Sequence, residues 1–305
     1  MCAPEEIPMS FKVIAENINV MSKSIGPAMK ARDAKPIEEL AIKLTEAGSD
    51  YLDVNLGPAR KKGDELMEWI VGVVQGVSDL PLYLDTMNVD AMEAGLKAYK
   101  NKGGKAVINS IMARPDRMEK LMPFTQKYDA GMVALLWGPE GIPRDENERG
   151  VLAAEIVYPA QELGVAAEDI WVDPIVVPVS SQQIEAQGCT NFMLMMPDMF
   201  PECMSTCGLS NISNGCPEKL RPLVNQTYFA MLLKGGLKGA IMDPLDKGLM
   251  DIARGKRDDI TSIVGKVMDG DVPDLGGLSK EEVDYVKTTQ VLLGQKLYSD
   301  SWLDL

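Results

Sequence analysis

Tyr51-Leu52-Asp53-Val54-Asn55-Leu56-Gly57-Pro58 reads as a short apolar strand that ends on polar side chains and then turns. Asp53 and Asn55 stand two apart, so on a strand both side chains leave the same face. Gly57-Pro58 directs the chain into a helical pattern from about residue 65 to residue 77. The unit repeats. Leu82-Tyr83-Leu84-Asp85, Ala106-Val107-Ile108-Asn109, Ile170-Trp171-Val172-Asp173 and Ala240-Ile241-Met242-Asp243 are also apolar strands closing on Asp or Asn.

Further strands are expected at 12–16, at 131–136 and just before Gly208. Helical patterns fall between them. Pro36 opens one that Gly48 stops, Asn88 is an N-cap for one ending near Gly103-Gly104, and Pro115 starts one running to Tyr128. Others are expected at 148–163 and from Leu220 to Lys234. The stretch 174–203, with Pro178, Pro197 and Pro201, gives no clear assignment. Its Met193, Met195, Met196 and Met199 suit either packing or an adaptable surface. Eight strand–helix units in 305 residues predict an α/β fold, a (β/α)8 TIM barrel spanning residues 1–305 as one domain, whose site lies at the C-terminal strand ends. An open doubly wound sheet is the alternative, but no glycine-rich phosphate loop follows any strand.

Composition narrows the chemistry. A formal net charge of −14 argues against a nucleic-acid partner, because such binding draws on Lys and Arg at phosphates. No apolar run reaches the roughly 18 residues of a membrane span, and Met1–Ser10 lacks a signal-peptide pattern, so a cytoplasmic protein is expected. Five scattered cysteines fit reduced thiols. The chain has no histidine, which removes Ser-His-Asp and Cys-His nucleophile pairs and the commonest general base.

Carboxylates at strand ends can bind a metal, act as acid and base, or accept hydrogen bonds from a flat amino-substituted heterocycle, whose adjacent N–H donors match carboxylate oxygens, and amides would serve such a ring's mixed donors and acceptors. Helix capping is the plainer role for such residues. Asn88 frees Asp85 from that role, and Asn109 lies too far before Pro115; Asp173, next to Pro174, fits either reading. Asp243, before Pro244, fits either reading in the same way and is left out of the site. Thr206-Cys207-Gly208-Leu209-Ser210-Asn211-Ile212-Ser213-Asn214 is the most polar strand end, where a glycine admits close backbone approach.

Glu16-Asn17-Ile18-Asn19, Leu52-Asp53-Val54-Asn55-Leu56-Gly57-Pro58-Ala59, Leu84-Asp85-Thr86, Ile108-Asn109-Ser110, Val172-Asp173-Pro174 and Gly208-Leu209-Ser210-Asn211, in that order, resemble the pterin-binding methyltransferases. Among these the likeness is to the methyltetrahydrofolate:corrinoid protein methyltransferases of acetogens and bacterial demethylase systems. The resemblance implies a pterin-binding barrel in which Asp85, Asn109 and Asp173, with Asp53 and Asn55, hold the pterin ring. It places Asn211 beside N5, and Gly208, Ser210, Asn214 and Arg221 along the folate; Asn214 replaces an expected glutamine. Tetrahydrofolate or its 5-methyl form is the implied substrate, and the corrinoid is carried by a partner protein. A homodimer without a metal of its own is implied as well. The segment at about 245–280, before the last helix, is longer than the family pattern and is read as a solvated insertion in preference to a docking surface. That length favours methyl flow from corrinoid to tetrahydrofolate. With no histidine available, Asn211 is expected to supply a positioned hydrogen bond at N5.

Two other readings stay open. Cys189, Cys203, Cys207 and Cys216 offer thiolates for a zinc enzyme that activates a thiol substrate. A noncatalytic pterin-binding protein would share the site without the transfer.

Overall fold

The computed structural model describes residues 11–59 and 61–304. The signal-peptide reading of Met1–Ser10 lies outside them, as does Cys2. Eight strands run β1 (Lys12–Asn19), β2 (Tyr51–Gly57), β3 (Leu82–Thr86), β4 (Val107–Met112), β5 (Gly131–Leu135), β6 (Ile170–Asp173), β7 (Met204–Ser205) and β8 (Gly239–Met242). Every registered pair is parallel, in the order β7-β6-β5-β4-β3-β2-β1-β8. Closure falls between the ends of that order. Gly208 bridges Ile241, and Ile241 N–H donates to Cys207 O at 2.8 Å. The protein is a (β/α)8 barrel.

Helices alternate with the strands: α1 (Ile25–Ala31) and α2 (Lys35–Glu46) follow β1, and α3 (Gly63–Val77), α4 (Val89–Ala98), α5 (Pro115–Lys127), α6 (Glu146–Glu162), α7 (Gln183–Met199) and α8 (Arg221–Lys234) follow β2 to β7. After β8 come α9 (Lys247–Ala253), α10 (Asp258–Met268) and α11 (Lys280–Leu292). Strand side chains alternate between two cores. Val13, Leu52, Leu84, Ile108 and Val172 face the helices in the larger one. Ile14, Tyr51, Tyr83, Val107, Val133, Trp171, Met204 and Ile241, one from each strand, fill the barrel itself. Tyr51, Tyr83 and Trp171 meet edge to face there, with centroids 5.3–5.7 Å apart.

Three expectations are corrected. The unassigned stretch holds α7, whose buried Cys189, Phe192, Met193 and Met196 recur at helical spacing. Pro197 lies in its last turn, where its missing N–H costs one bond. Met195 and Met199 are exposed, so the methionines divide between packing and surface. Helix α4 ends at Ala98, short of Gly103, because Gln75 takes over the backbone of Lys100: it donates to the carbonyl at 2.6 Å and accepts from the N–H at 2.9 Å. The 245–280 segment is solvated only in part, with residues 269–280 largely exposed. Ile260, Ile263, Val264 and Val267 of α10 are buried, and the helix packs on α8 and α11.

Candidate functional site

Two residues beyond each member of the barrel plug, toward the C-terminal ends, stand Glu16, Asp53, Asp85, Asn109, Leu135, Asp173, Thr206 and Asp243. Period-two alternation puts them on the same inward face as the plug. Seven of these eight are polar, so the lower half of the barrel is sealed by apolar and aromatic packing and the upper half is a cup of carboxyl, amide and hydroxyl groups. This is the end of the barrel where such folds place their chemistry.

The cup is internally paired. Asn109 Nδ2 donates to Asp53 Oδ1 at 3.0 Å, and the Asn55 amide donates to Asp85. Asp173 Oδ1 accepts from Ile175 N–H at 2.8 Å, so it serves the following turn as well as the cup. Asn88 accepts from the N–H groups of Asp90 and Ala91 and caps α4, which leaves Asp85 to the interior. Burial pushes the carboxyls of Asp85 and Asp173 up to about 7. The Asn55 bond opposes this at Asp85, and the Ile175 N–H and then the charge of Arg149 oppose it at Asp173. Asp53, deeper still and beside Asp85, is held well above the ordinary carboxylate range by burial first and by its neighbour second. A ligand that brings N–H donors into the cup would favour ionisation of all three.

The rim is the segment after β7. Gly208 is followed by a 3-10 turn over Leu209–Ser213. A Cβ on Gly208 would stand 3.0 Å from Asn211 Nδ2, so the glycine lets the asparagine side chain fold back over the strand end. Asn211 is exposed, and its Oδ1 accepts from Asn214 Nδ2 at 3.3 Å. Among the described residues no acceptor engages Asn211 Nδ2, while its backbone N–H donates to Gly208 O at 3.3 Å. Asn214 is fixed further by Ser180 Oγ, which donates to its carbonyl at 2.7 Å. Arg221 Nε donates to Ser213 Oγ at 3.1 Å, and Arg221 lines a cavity of about 260 Å³ with Glu16, Ser210, Asn225 and Asp243.

Asp53, Asn55, Asp85, Asn109 and Asp173 thus sit in the cup, while Gly208, Ser210, Asn211, Asn214 and Arg221 form one wall of its rim. The link between the two groups was not foreseen: Ser210 Oγ donates to Glu16 Oε2 at 2.8 Å. Burial raises the Glu16 carboxyl to about 7; the Ser210 bond lowers it, Asp243 raises it and Arg221 lowers it. Asp243, left out of the site, accepts from Leu245 N–H at 2.9 Å, but it also accepts from Asn17 Nδ2 at 3.0 Å and so faces the cup. The sequence signal for Glu16 was its place two residues after an inward Ile14. Arg149 gave no such signal, since it sits in a polar helix start. Its guanidinium is wholly buried and donates to the carbonyls of Pro174 (2.8 Å), Asp145 (3.1 Å) and Glu185 (3.0 Å), which ties down the loop after Asp173.

The zinc reading is not supported. Cys189, Cys203, Cys207 and Cys216 are buried free thiols pushed up by burial, and among the described residues no three His, Cys, Asp or Glu side chains are grouped to hold a metal ion. Among the described residues no helix is long and apolar enough to cross a membrane.

Comparison with known proteins agrees with this geometry. The chain is 27% identical over 240 residues to the methylcorrinoid:tetrahydrofolate methyltransferase of Eubacterium limosum, covering 78% of this chain and 87% of that one. It is 26% identical over 244 residues to the methionine synthase of Mycobacterium leprae, covering 76% of this chain but only 20% of that longer protein. The fold superposes on dihydropteroate synthase from Xanthomonas albilineans in complex with 7,8-dihydropteroate with a TM-score of 0.62 at 16% identity, covering 81% and 93% of the two chains. The enzyme from Coxiella burnetii, in complex with pteroic acid, gives 0.61 at 13% identity, covering 82% and 94%. The family description "Pterin binding enzyme" matches residues 15–241, from the middle of the first strand to the last, and the chain belongs to that family.

Proposed function

We propose that this chain is a methyltransferase that moves a methyl group from a methylated corrinoid protein to N5 of tetrahydrofolate. The observation that carries the reading is the paired cup: Asp53 with Asn109 and Asn55 with Asp85, donors and acceptors fixed in advance at the C-terminal strand ends. An aminopterin edge presents adjacent N–H donors, which suit two carboxyls and an amide better than they suit water-filled space. Asp85, Asn109 and Asp173 hold the ring in this account, with Asp53 and Asn55 orienting them. Gly208, Ser210, Asn214 and Arg221 line the folate beyond the ring's inner edge, with Ser210 nearest N5 beside Asn211.

Asn211 is the group beside N5. Its Nδ2, free of protein acceptors among the described residues, meets the N5 region as the methyl moves. Its contribution is orientation and a hydrogen bond aimed at the reacting nitrogen. The direction rests on similarity to the methylcorrinoid:tetrahydrofolate methyltransferase of Eubacterium limosum. The corrinoid partner docks over the barrel mouth, where Met21, Met87, Trp137 and Leu245, each shortly beyond a strand end, expose apolar surface. We also read the enzyme as cytoplasmic and homodimeric.

Binding and chemistry separate in one variant. Asn211→Ala is expected to slow single-turnover methyl transfer by ~10²-fold, the cost of one positioned hydrogen bond, while leaving tetrahydrofolate affinity within about threefold. An unchanged transfer rate with the fold intact removes Asn211 from the chemistry. A wild-type chain that binds tetrahydrofolate tightly yet transfers no methyl would instead be the noncatalytic binder.

A further inference from the structure

The carboxyls of the cup differ in what they are bonded to. Asp53 and Asp85 accept from the side-chain amides of Asn109 and Asn55, Asp173 from a backbone N–H, and Asp243 from Asn17 and a backbone N–H. Amide N–H groups donate but do not pass a proton on. Among the described residues, Glu16 alone of these five is bonded to a hydroxyl, that of Ser210, at 2.8 Å. A hydroxyl donates with its hydrogen while accepting on a lone pair, so it can relay. Ser210 is also the residue before Asn211.

The surroundings suit a proton that comes and goes. Glu16 borders the 260 Å³ cavity between the ends of β1 and β8 and the turn after β7. Asn225 at the cavity wall keeps a buried Oδ1 without a partner, an acceptor left for a water or ligand donor. The charged groups facing Glu16 come from three elements: Asp53 on β2 and Asp243 after β8 disfavour its charge, and Arg221 on α8 favours it. Glu218 and Asp246 line the outer part of the cavity.

We propose that Glu16 takes up and returns the proton of N5 during methyl transfer, acting through the Ser210 hydroxyl. This rests on the methyltransferase reading above. In the direction toward tetrahydrofolate, the N5 lone pair forms the N–CH3 bond as the cobalt–carbon bond breaks, and that bond's electron pair stays on cobalt. N5 then holds one proton too many. The proton passes to Ser210 Oγ while the hydroxyl hydrogen passes to the Glu16 carboxylate. In reverse, protonated Glu16 returns it, so that tetrahydrofolate leaves as a neutral amine. Glu16 is thus a positioning and relay residue rather than one that touches the folate.

The test is the pH profile of single-turnover transfer from methylcobalamin to tetrahydrofolate, alongside tetrahydrofolate affinity, for wild type, Glu16→Gln, Glu16→Asp and Ser210→Ala. Glu16→Gln is expected to lower the rate by ~10²-fold at pH 7.5, a typical loss for one acid–base group. It should also abolish the wild-type fall in rate below neutral pH while keeping affinity within about threefold. Ser210→Ala should flatten the same limb, and Glu16→Asp should restore it in part. A Glu16→Gln protein that keeps the wild-type profile, or that loses affinity as much as rate, overturns the relay alone. Wild type without transfer from either methylcobalamin or a methylated corrinoid protein overturns the methyltransferase reading and the relay with it.

Discussion

Asp85 carries opposing demands. Its carboxyl is half-buried near Asp53 and Asp173, and only the Asn55 amide offsets the burial that raises it to about 7. A raised carboxyl binds more protons folded than unfolded, so its cost grows as pH rises from its unfolded value to about 7 and is constant above that. Asp85→Asn removes that cost and keeps an acceptor for Asn55. Its ligand-free melting temperature is expected to exceed wild type at pH 8 by more than at pH 5, while tetrahydrofolate affinity falls by roughly 10- to 100-fold, as for the loss of one charge-assisted contact. Scanning calorimetry at both pH values and a binding titration check the two halves. Asp85 was legible in the sequence because Asn88 provided the cap. Arg149 was not, because its burial depends on the carbonyls of Asp145, Pro174 and Glu185 converging from three places in the chain.

Elements were legible where local chemistry decides them and obscure where a distant side chain does. Asn88 closes the first turn of α4 through two N–H groups, and Asn88→Ala is expected to cost about 1 kcal/mol in denaturant unfolding. Its Nδ2 also donates to Ala59 O at 2.8 Å, so the measured loss should lie at the upper end of the capping range. The end of α4 is set by Gln75 from α3, which no reading of residues 89–104 contains. Helix α7 was hidden for another reason. Its buried stripe of Cys189, Phe192, Met193 and Met196 counts as apolar only when the thiol is treated as a small hydrophobe, and Pro197 suggested a break where the helix was already ending. Helix α10 seals α8 from outside the barrel, and Val264→Ala should destabilise the protein by about 1–3 kcal/mol without changing tetrahydrofolate affinity. Equal losses of stability and affinity would mean that the segment after β8 shapes the site itself.

The whole barrel was legible because eight strands repeat one period. Inward positions alternate an apolar plug with a polar cup, and the motif residues at 53, 55, 85, 109 and 173 already lay on one face. What the period could not reveal was how those carboxyls share their protons, which depends on depth within the barrel and on partners from other strands. Glu16, Asp85 and Asp173 are each raised to about 7, and burial raises Asp53 well above the ordinary carboxylate range too. The ligand-free protein is therefore expected to lose stability as pH climbs from about 4.5 through 7, the range between the unfolded and folded values. Tetrahydrofolate should recover part of that loss, with a larger rise in melting temperature at pH 7.5 than at pH 5.5. The central claim is methyl transfer itself. Absorbance of methylcobalamin mixed with tetrahydrofolate and the purified protein, with an EDTA-treated sample in parallel, tests it directly. Enzyme-dependent loss of the methylcobalamin spectrum with formation of 5-methyltetrahydrofolate, unchanged by EDTA, is the result predicted. Absence of transfer with both free methylcobalamin and a methylated corrinoid protein, or activity that EDTA abolishes and zinc restores, would contradict it.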